Sequence, residues 1–223
     1  MKFPLDIYIL IFSALAGFYS LYRKRPREIY LKIFPFFLLV TVLVELAAFF
    51  MIEIAKSHVP IGKSHAPTYL LYNPSTTLEF VFYFFSIREI IKKKIAKNIL
   101  LGLMLAFPLA VAINMTFFQG MHRFNSFTYS IGCLLIIGSC IYYFYELFLM
   151  PHSVNLLRQP PFWICTALLF FYAFTYPIYG LSNLMASLPT HLIIIIGRIL
   201  DSLNILLYSF FSIAFLCRLR IQK

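Results

Sequence analysis

The sequence predicts an all-α fold: an integral membrane bundle of about seven transmembrane helices, N-terminus outside and C-terminus cytoplasmic. Three observations carry this expectation. The 223 residues are 61% hydrophobic and 12% charged, with a mean hydropathy of +0.85, whereas an average soluble domain is about half apolar and about a quarter charged. So few polar residues cannot cover a water-facing surface, so the excess apolar surface needs hydrocarbon around it. The apolar residues also fall into seven runs near the roughly 20 residues that one crossing requires, and the charges cluster between them. The chain reads as one polytopic domain, residues 1–223, with little left for an extramembrane catalytic domain.

The first run, Leu5 to Tyr22, stops at Arg23-Lys24-Arg25-Pro26-Arg27. A cleavable signal peptide competes here, because Lys2 precedes the run and Ala14-Leu15-Ala16 resembles a small-residue cleavage site. The run continues past that point to a strong basic stop, as an anchored helix does. The second spans about Tyr30 to Ile54, and Pro60, Gly62 and Pro67 punctuate the connection to the third. The third, Thr68 to Ile91, ends among Arg88, Lys92, Lys93, Lys94 and Lys97. The fourth, Asn98 to Phe118, precedes a turn with Gly120, His122, Arg123 and Asn125. The fifth, Ser126 to Met150, stops at Pro151. After Pro160-Pro161, Phe162-Trp163 brings interfacial aromatic character to the start of the sixth, which reaches Leu184. The seventh runs from His191 to Cys217, closed by Arg218, Arg220 and Lys223. No internal repeat is visible.

Orientation follows from the cations. One side collects Arg23, Lys24, Arg25, Arg27, Lys32, Arg88, Lys92, Lys93, Lys94, Lys97, Arg158, Arg218, Arg220 and Lys223, and the other only Lys2, Lys56, Lys63 and Arg123. Positive residues in short loops favour the cytoplasm, which gives the stated orientation of a multi-pass protein in a cell membrane. The net charge of +11 would suggest nucleic acid only if it formed a patch on a soluble surface. Bracketing apolar runs, it marks a membrane flank and a basic cytoplasmic face open to a protein partner.

Ionisable groups within a span cost a few kcal/mol or more at the bilayer centre, which makes each a functional candidate. Glu45, Glu79, Asp201 and Arg198 are the ones here. Counted from the outer helix ends, the three acids lie about 14 to 16 Å deep, near the midplane, with Arg198 one turn shallower on the same face as Asp201. Convergence in the bundle interior would leave an excess of two negative charges, to be balanced by a proton, a cation or a cationic ligand. Asn73, Asn114, Asn183 and Asn204 could extend the network. The competing reading is a polar lock that fixes helix register and nothing more. The 26 Phe and 15 Tyr read as lipid-facing bulk and interface belts.

Other chemistry is excluded by what is missing. The seventh span has no lysine for a retinal Schiff base. His58, His65, His122, His152 and His191 lie in loops or at helix ends, unsuited to intramembrane haem. Cys133, Cys140, Cys165 and Cys217 form no CxxC pair and read as small hydrophobes. HExxH, GxSxG, P-loop and GxGxxG patterns are absent, so neither enzyme, metal site nor cofactor is expected.

Leu71-Tyr72-Asn73 with Leu78-Glu79-Phe80, Phe124-Asn125-Ser126, Pro161-Phe162-Trp163 and Leu203-Asn204-Ile205-Leu206-Leu207-Tyr208 together resemble a family of small, stand-alone, polytopic bacterial membrane proteins. That resemblance implies a fold and motif positions but no activity. In size, multiple spans and basic cytoplasmic side, the chain also resembles the membrane accessory proteins encoded beside type VI-B CRISPR effectors. Three function classes fit the residues. One is a membrane sensor or accessory subunit, with a ligand or proton at the midplane cluster and a cytoplasmic partner at the basic loops. Another is a small transporter or channel-like carrier using the same acids. The third is a lipid-facing enzyme, which needs acid/base groups the sequence barely offers, while the second resemblance implies a defence-system membrane accessory protein.

Overall fold

A computed structural model describes residues 4–24, 26–58, 68–120, 124–149, 155–180 and 189–217. Among them are seven long helices and no strand: α1 (Leu5–Lys24), α2 (Ile29–His58), α3 (Tyr69–Ile90), α4 (Lys94–Ile113), α5 (Ser126–Phe148), α6 (Pro160–Gly180) and α7 (Thr190–Cys217). A five-residue π turn, Asn114–Phe118, continues α4. Six of these helices are long and apolar enough to cross a membrane, and α3 is not among them. The expected third span, Thr68 to Ile91, is thus present as a helix but falls short of the other six in apolarity. The reason lies in the first half of α3, where Tyr72, Asn73, Ser75, Thr76, Thr77 and Glu79 displace aliphatic residues.

The same polarity decides where α3 sits. It occupies the middle of the bundle and meets five neighbours through rings on different sides. Phe82 touches Phe34 and Phe37 of α2 at centroid distances of 5.0 and 4.0 Å. Phe80 reaches Phe107 of α4 at 5.1 Å, Tyr129 of α5 at 5.4 Å and Tyr172 of α6 at 5.3 Å. Tyr83 reaches Phe211 of α7 at 6.3 Å. The other helices close around it: α1 lies against α2 and α7, α7 against α6, and α6 against α5. Gly132 of α5 permits the tightest approach, since a Cβ there would stand 2.7 Å from Cζ of Phe80.

The outside of the bundle is apolar, with Leu5, Leu15, Leu43, Leu105, Leu109 and Phe174 among its exposed side chains. Hydroxyls within the helices turn back onto their own backbone. Thr41, Thr76, Thr77, Ser130, Thr166, Thr175 and Ser212 each donate to the carbonyl four residues earlier. A helix in hydrocarbon needs this economy, because no water is present to satisfy a free hydroxyl. Length, apolarity and outer surface together are those of a multi-pass membrane protein.

Helix ends differ from the expected spans where local chemistry outweighs hydropathy. α4 begins at Lys94 instead of Asn98 because lysine is a good helix former and its charged tip can extend outward. Its preceding turn is held by Glu146 of α5, which accepts the Lys92 N–H at 2.8 Å and the Lys93 N–H at 3.0 Å. α6 begins at Pro160, where a proline's missing N–H costs nothing in the first turn.

Candidate functional site

Glu45 projects from the middle of α2 and Glu79 from the middle of α3, and both half-buried side chains open onto one small cleft between the helices. Its volume is about 40 Å³, and Phe37, Thr41, Val44 and Thr76 complete its walls. Each carboxylate has a tyrosine. The Tyr72 hydroxyl donates to Glu45 Oε2 at 3.2 Å, and the Tyr83 hydroxyl donates to Glu79 Oε1 at 3.1 Å. Tyr83 lies one turn beyond Glu79 on the same face of α3, so the helix positions its own donor.

Further hydroxyls surround Glu79. Tyr129 of α5, Tyr172 and Tyr179 of α6, and Tyr208 of α7 all lie within its electrostatic reach. Tyr172 is fully buried, and its hydroxyl approaches Glu79 without completing a hydrogen bond to any partner. These tyrosines correct the expectation that tyrosine here serves lipid and interface. Tyr83, Tyr172 and Tyr208 expose 1%, 0% and 7% of their surface, and they sit in mid-helix, away from the ends where interface belts form. Their mid-span position was the available signal.

A second acid group adjoins the first. Asp6, in the first turn of α1, lies within electrostatic reach of Glu45 and of Asp201 on α7, with the Asn204 amide beside it. Its Oδ1 is buried without a hydrogen-bond partner. Asp6 was missed because an acid in a first helical turn is accounted for by the helix dipole alone. From the α1 end the acids thus run inward from Asp6 to Glu45 to Glu79. None pairs with a lysine, arginine or histidine among the described residues.

The remaining expected members are placed elsewhere. Arg198 and Asp201 do lie near one another on α7, but both are exposed on the outside of the bundle and form no ion pair among the described residues. Arg198 borders an open groove between α6 and α7, away from Glu79. A common depth therefore did not mean a common interior. Asn73 and Asn114 join a separate polar knot at the α1 end. The Asn125 N–H donates to Asn73 Oδ1 at 3.0 Å, and Asn114 Nδ2 donates to Asn125 Oδ1 and, at 2.7 Å, to Gln119 Oε1. Gln119 Nε2 in turn donates to Ser126 Oγ at 3.0 Å. The π turn rotates Asn114 into this knot, which ties α3, α4 and α5 together and caps the start of α5. Of the basic face, Arg23, Arg27, Lys92, Lys93 and Lys94 are exposed and Lys97 is half-buried, while Arg25, Arg218 and Arg220, like Asn183, lie outside the described residues.

No group of three or more metal-binding side chains occurs among the described residues. Asp6, Glu45 and Glu79 are each met by an amide or a tyrosine hydroxyl, an oxygen-rich set suited to a proton or a small hard cation. No protein-family profile matches the chain, and no curated protein or solved structure is similar to it.

Proposed function

We propose that this chain is a non-catalytic membrane sensor or accessory subunit, oriented with the α1 end outside, whose α2–α3 cleft takes up a proton or a small monovalent cation. One observation carries the reading: two carboxylates from different helices face a single cleft with no basic side chain among the described residues to balance them. Like charges in a poorly solvated cleft are unstable without a counter-ion or a shared proton. At about 40 Å³ the cleft has room for one or two waters or a desolvated ion. Organic ligands need sites of roughly 300 Å³ or more.

The polar route also favours sensing over carriage. It descends from Asp6 through Glu45 to Glu79 and meets apolar packing there, for Phe84 and Ile87 of α3 and Ile91 just beyond it are each at most 2% exposed. An ion that enters on one side and stops midway reports its concentration. A carrier would need a second state in which Phe84 and Ile87 move apart. Neutralising the pair lets α2 close on α3, and the short α3–α4 turn transmits that movement to Lys92, Lys93 and Lys94, which engage an acidic partner.

The test is thermal unfolding of purified protein at constant ionic strength in lithium, sodium or potassium, against the bulky N-methylglucamine cation. A small cation that binds raises the melting temperature by mass action, by about 2.7 kcal/mol of stabilisation at a hundredfold excess over Kd. Glu79→Gln should abolish the difference. Identical melting of the wild type and Glu79→Gln in all four cations, and from about pH 5 to 8, would leave a register lock as the better account.

A further inference from the structure

An arginine and an aspartate on the outer face of an apolar helix have no place against lipid. Intramembrane charges almost always face a bundle interior, a water-filled cavity or a partner. Arg198 and Asp201 lie eight and eleven residues into α7, about 12 and 16 Å along it. Both are exposed, and although their spacing permits an ion pair within the helix, none forms. Snorkelling can lift the long Arg198 side chain toward the interface but leaves the short Asp201 side chain behind.

The surrounding surface suits a second helix. Ile195, Arg198, Ser202, Ile205 and Ser209 follow one another in steps of three and four residues, the spacing of a helix–helix seam. The serines are small enough for close backbone approach, and the Ser202 hydroxyl is already satisfied by the Arg198 carbonyl at 2.8 Å. Beside the seam runs the open groove between α6 and α7, of about 490 Å³, bordered by Phe174, Ile199 and Leu206. The charges themselves identify the occupant. One positive and one negative group, three residues apart, are complementary to a copy of themselves.

We propose that α7 is a dimerisation helix, pairing with the α7 of a second copy about a twofold axis along the membrane normal, Arg198 of each chain reaching Asp201 of the other. A twofold interface repeats each contact, so two ion pairs form at once and all four charges leave the lipid. The axis keeps both helices at one depth. Arg198 then has to reach only about 4.5 Å along the axis to the partner's Asp201, three residues at 1.5 Å each, which its side chain spans. The inference rests on α7 crossing a membrane and is independent of what the α2–α3 cleft binds.

The experiment measures association in lipid nanodiscs and by cross-linking. In a Cys217→Ser background, Ser202→Cys should form an interchain disulfide in membranes, while Leu105→Cys, exposed on α4, should not. Arg198→Asp and Asp201→Arg should each weaken dimerisation by about tenfold or more, because each places like charges opposite one another. The double reversal Arg198→Asp/Asp201→Arg should restore it to within about threefold. Each single variant should melt like the wild-type monomer in a dissociating detergent, which separates lost association from lost folding. A wild type that stays monomeric at every protein-to-lipid ratio, a dimer indifferent to both single reversals, or a failed rescue would overturn the proposal. So would cross-linking of Ser202→Cys to a different protein.

Discussion

Two glycines in α5, six residues apart, should respond in opposite directions to the same added methyl. At Gly132 an alanine Cβ would lie 2.7 to 2.8 Å from three atoms of the Phe80 ring. Comfortable carbon contacts begin near 3.5 Å, so ring or helix must retreat by roughly 0.8 Å. The ring has nowhere to go: Phe80 is 1% exposed and packed against Phe107, Tyr129 and Tyr172. Overpacking of this kind costs about 1 to 3 kcal/mol, of which the better helix propensity of alanine returns up to about 1 kcal/mol. At Gly138 the same Cβ meets nothing within 4 Å, so only the propensity gain applies. Gly132→Ala should therefore be less stable than Gly138→Ala by about 1 to 3 kcal/mol, with the wild type between them. Thermal unfolding in one detergent, followed by intrinsic fluorescence, measures the difference directly. If Gly132→Ala proves as stable as Gly138→Ala, Phe80 is not wedged against α5 and the central placement of α3 is wrong.

Asn73→Ala removes the acceptor of the buried Asn125 N–H and should cost about 1 to 3 kcal/mol. Glu146→Ala frees the Lys92 and Lys93 amides, which lie where water can replace the carboxylate, so its cost should stay near 1 kcal/mol or below. Equal effects in the same unfolding assay would contradict the difference in burial. Tyr83→Phe removes the hydroxyl that donates to Glu79; stability should fall by about 1 kcal/mol, and the melting response to small cations should weaken without vanishing. For topology, a reporter after Lys223 should behave as cytoplasmic and one inserted near residue 61, which lies outside the described residues, as external. Two reporters on one side would require an even number of crossings.

Position along each helix was legible in the sequence, and position around it was not. Distances from the ends placed Glu45, Glu79, Asp201 and Arg198 at similar depths because rise per residue is fixed. Which way each side chain turns depends on an apolar stripe, and spans such as α2 and α6 are apolar on every side. Glu45 therefore fell inside with nothing in the pattern of α2 to say so. α3 is the instructive exception. Its run from Tyr72 to Glu79 is too polar for contact with lipid, and that surplus already implied a helix enclosed by others. The tyrosines were harder still, because one residue type serves both interface belts and buried hydrogen bonds, and mid-helix placement alone distinguishes the roles. Asp6 carried no signal beyond its helix end.

The polarity of α3 also bears on how the bundle is assembled. A helix that partitions poorly into hydrocarbon by itself cannot wait there for its neighbours. α4 is strongly apolar and comes directly after α3, across the short link Ile91, Lys92 and Lys93. Entry of the two as a hairpin would offset the reluctance of the first with the solubility of the second and leave the lysines behind as the bend. α3 has polar groups to conceal until α5, α6 and α7 arrive, and their tyrosines and Asn125 are what finally conceal them. A chain truncated before α5 would leave α3 without the Asn125 N–H that Asn73 accepts and without the Tyr129, Tyr172 and Tyr208 hydroxyls around Glu79.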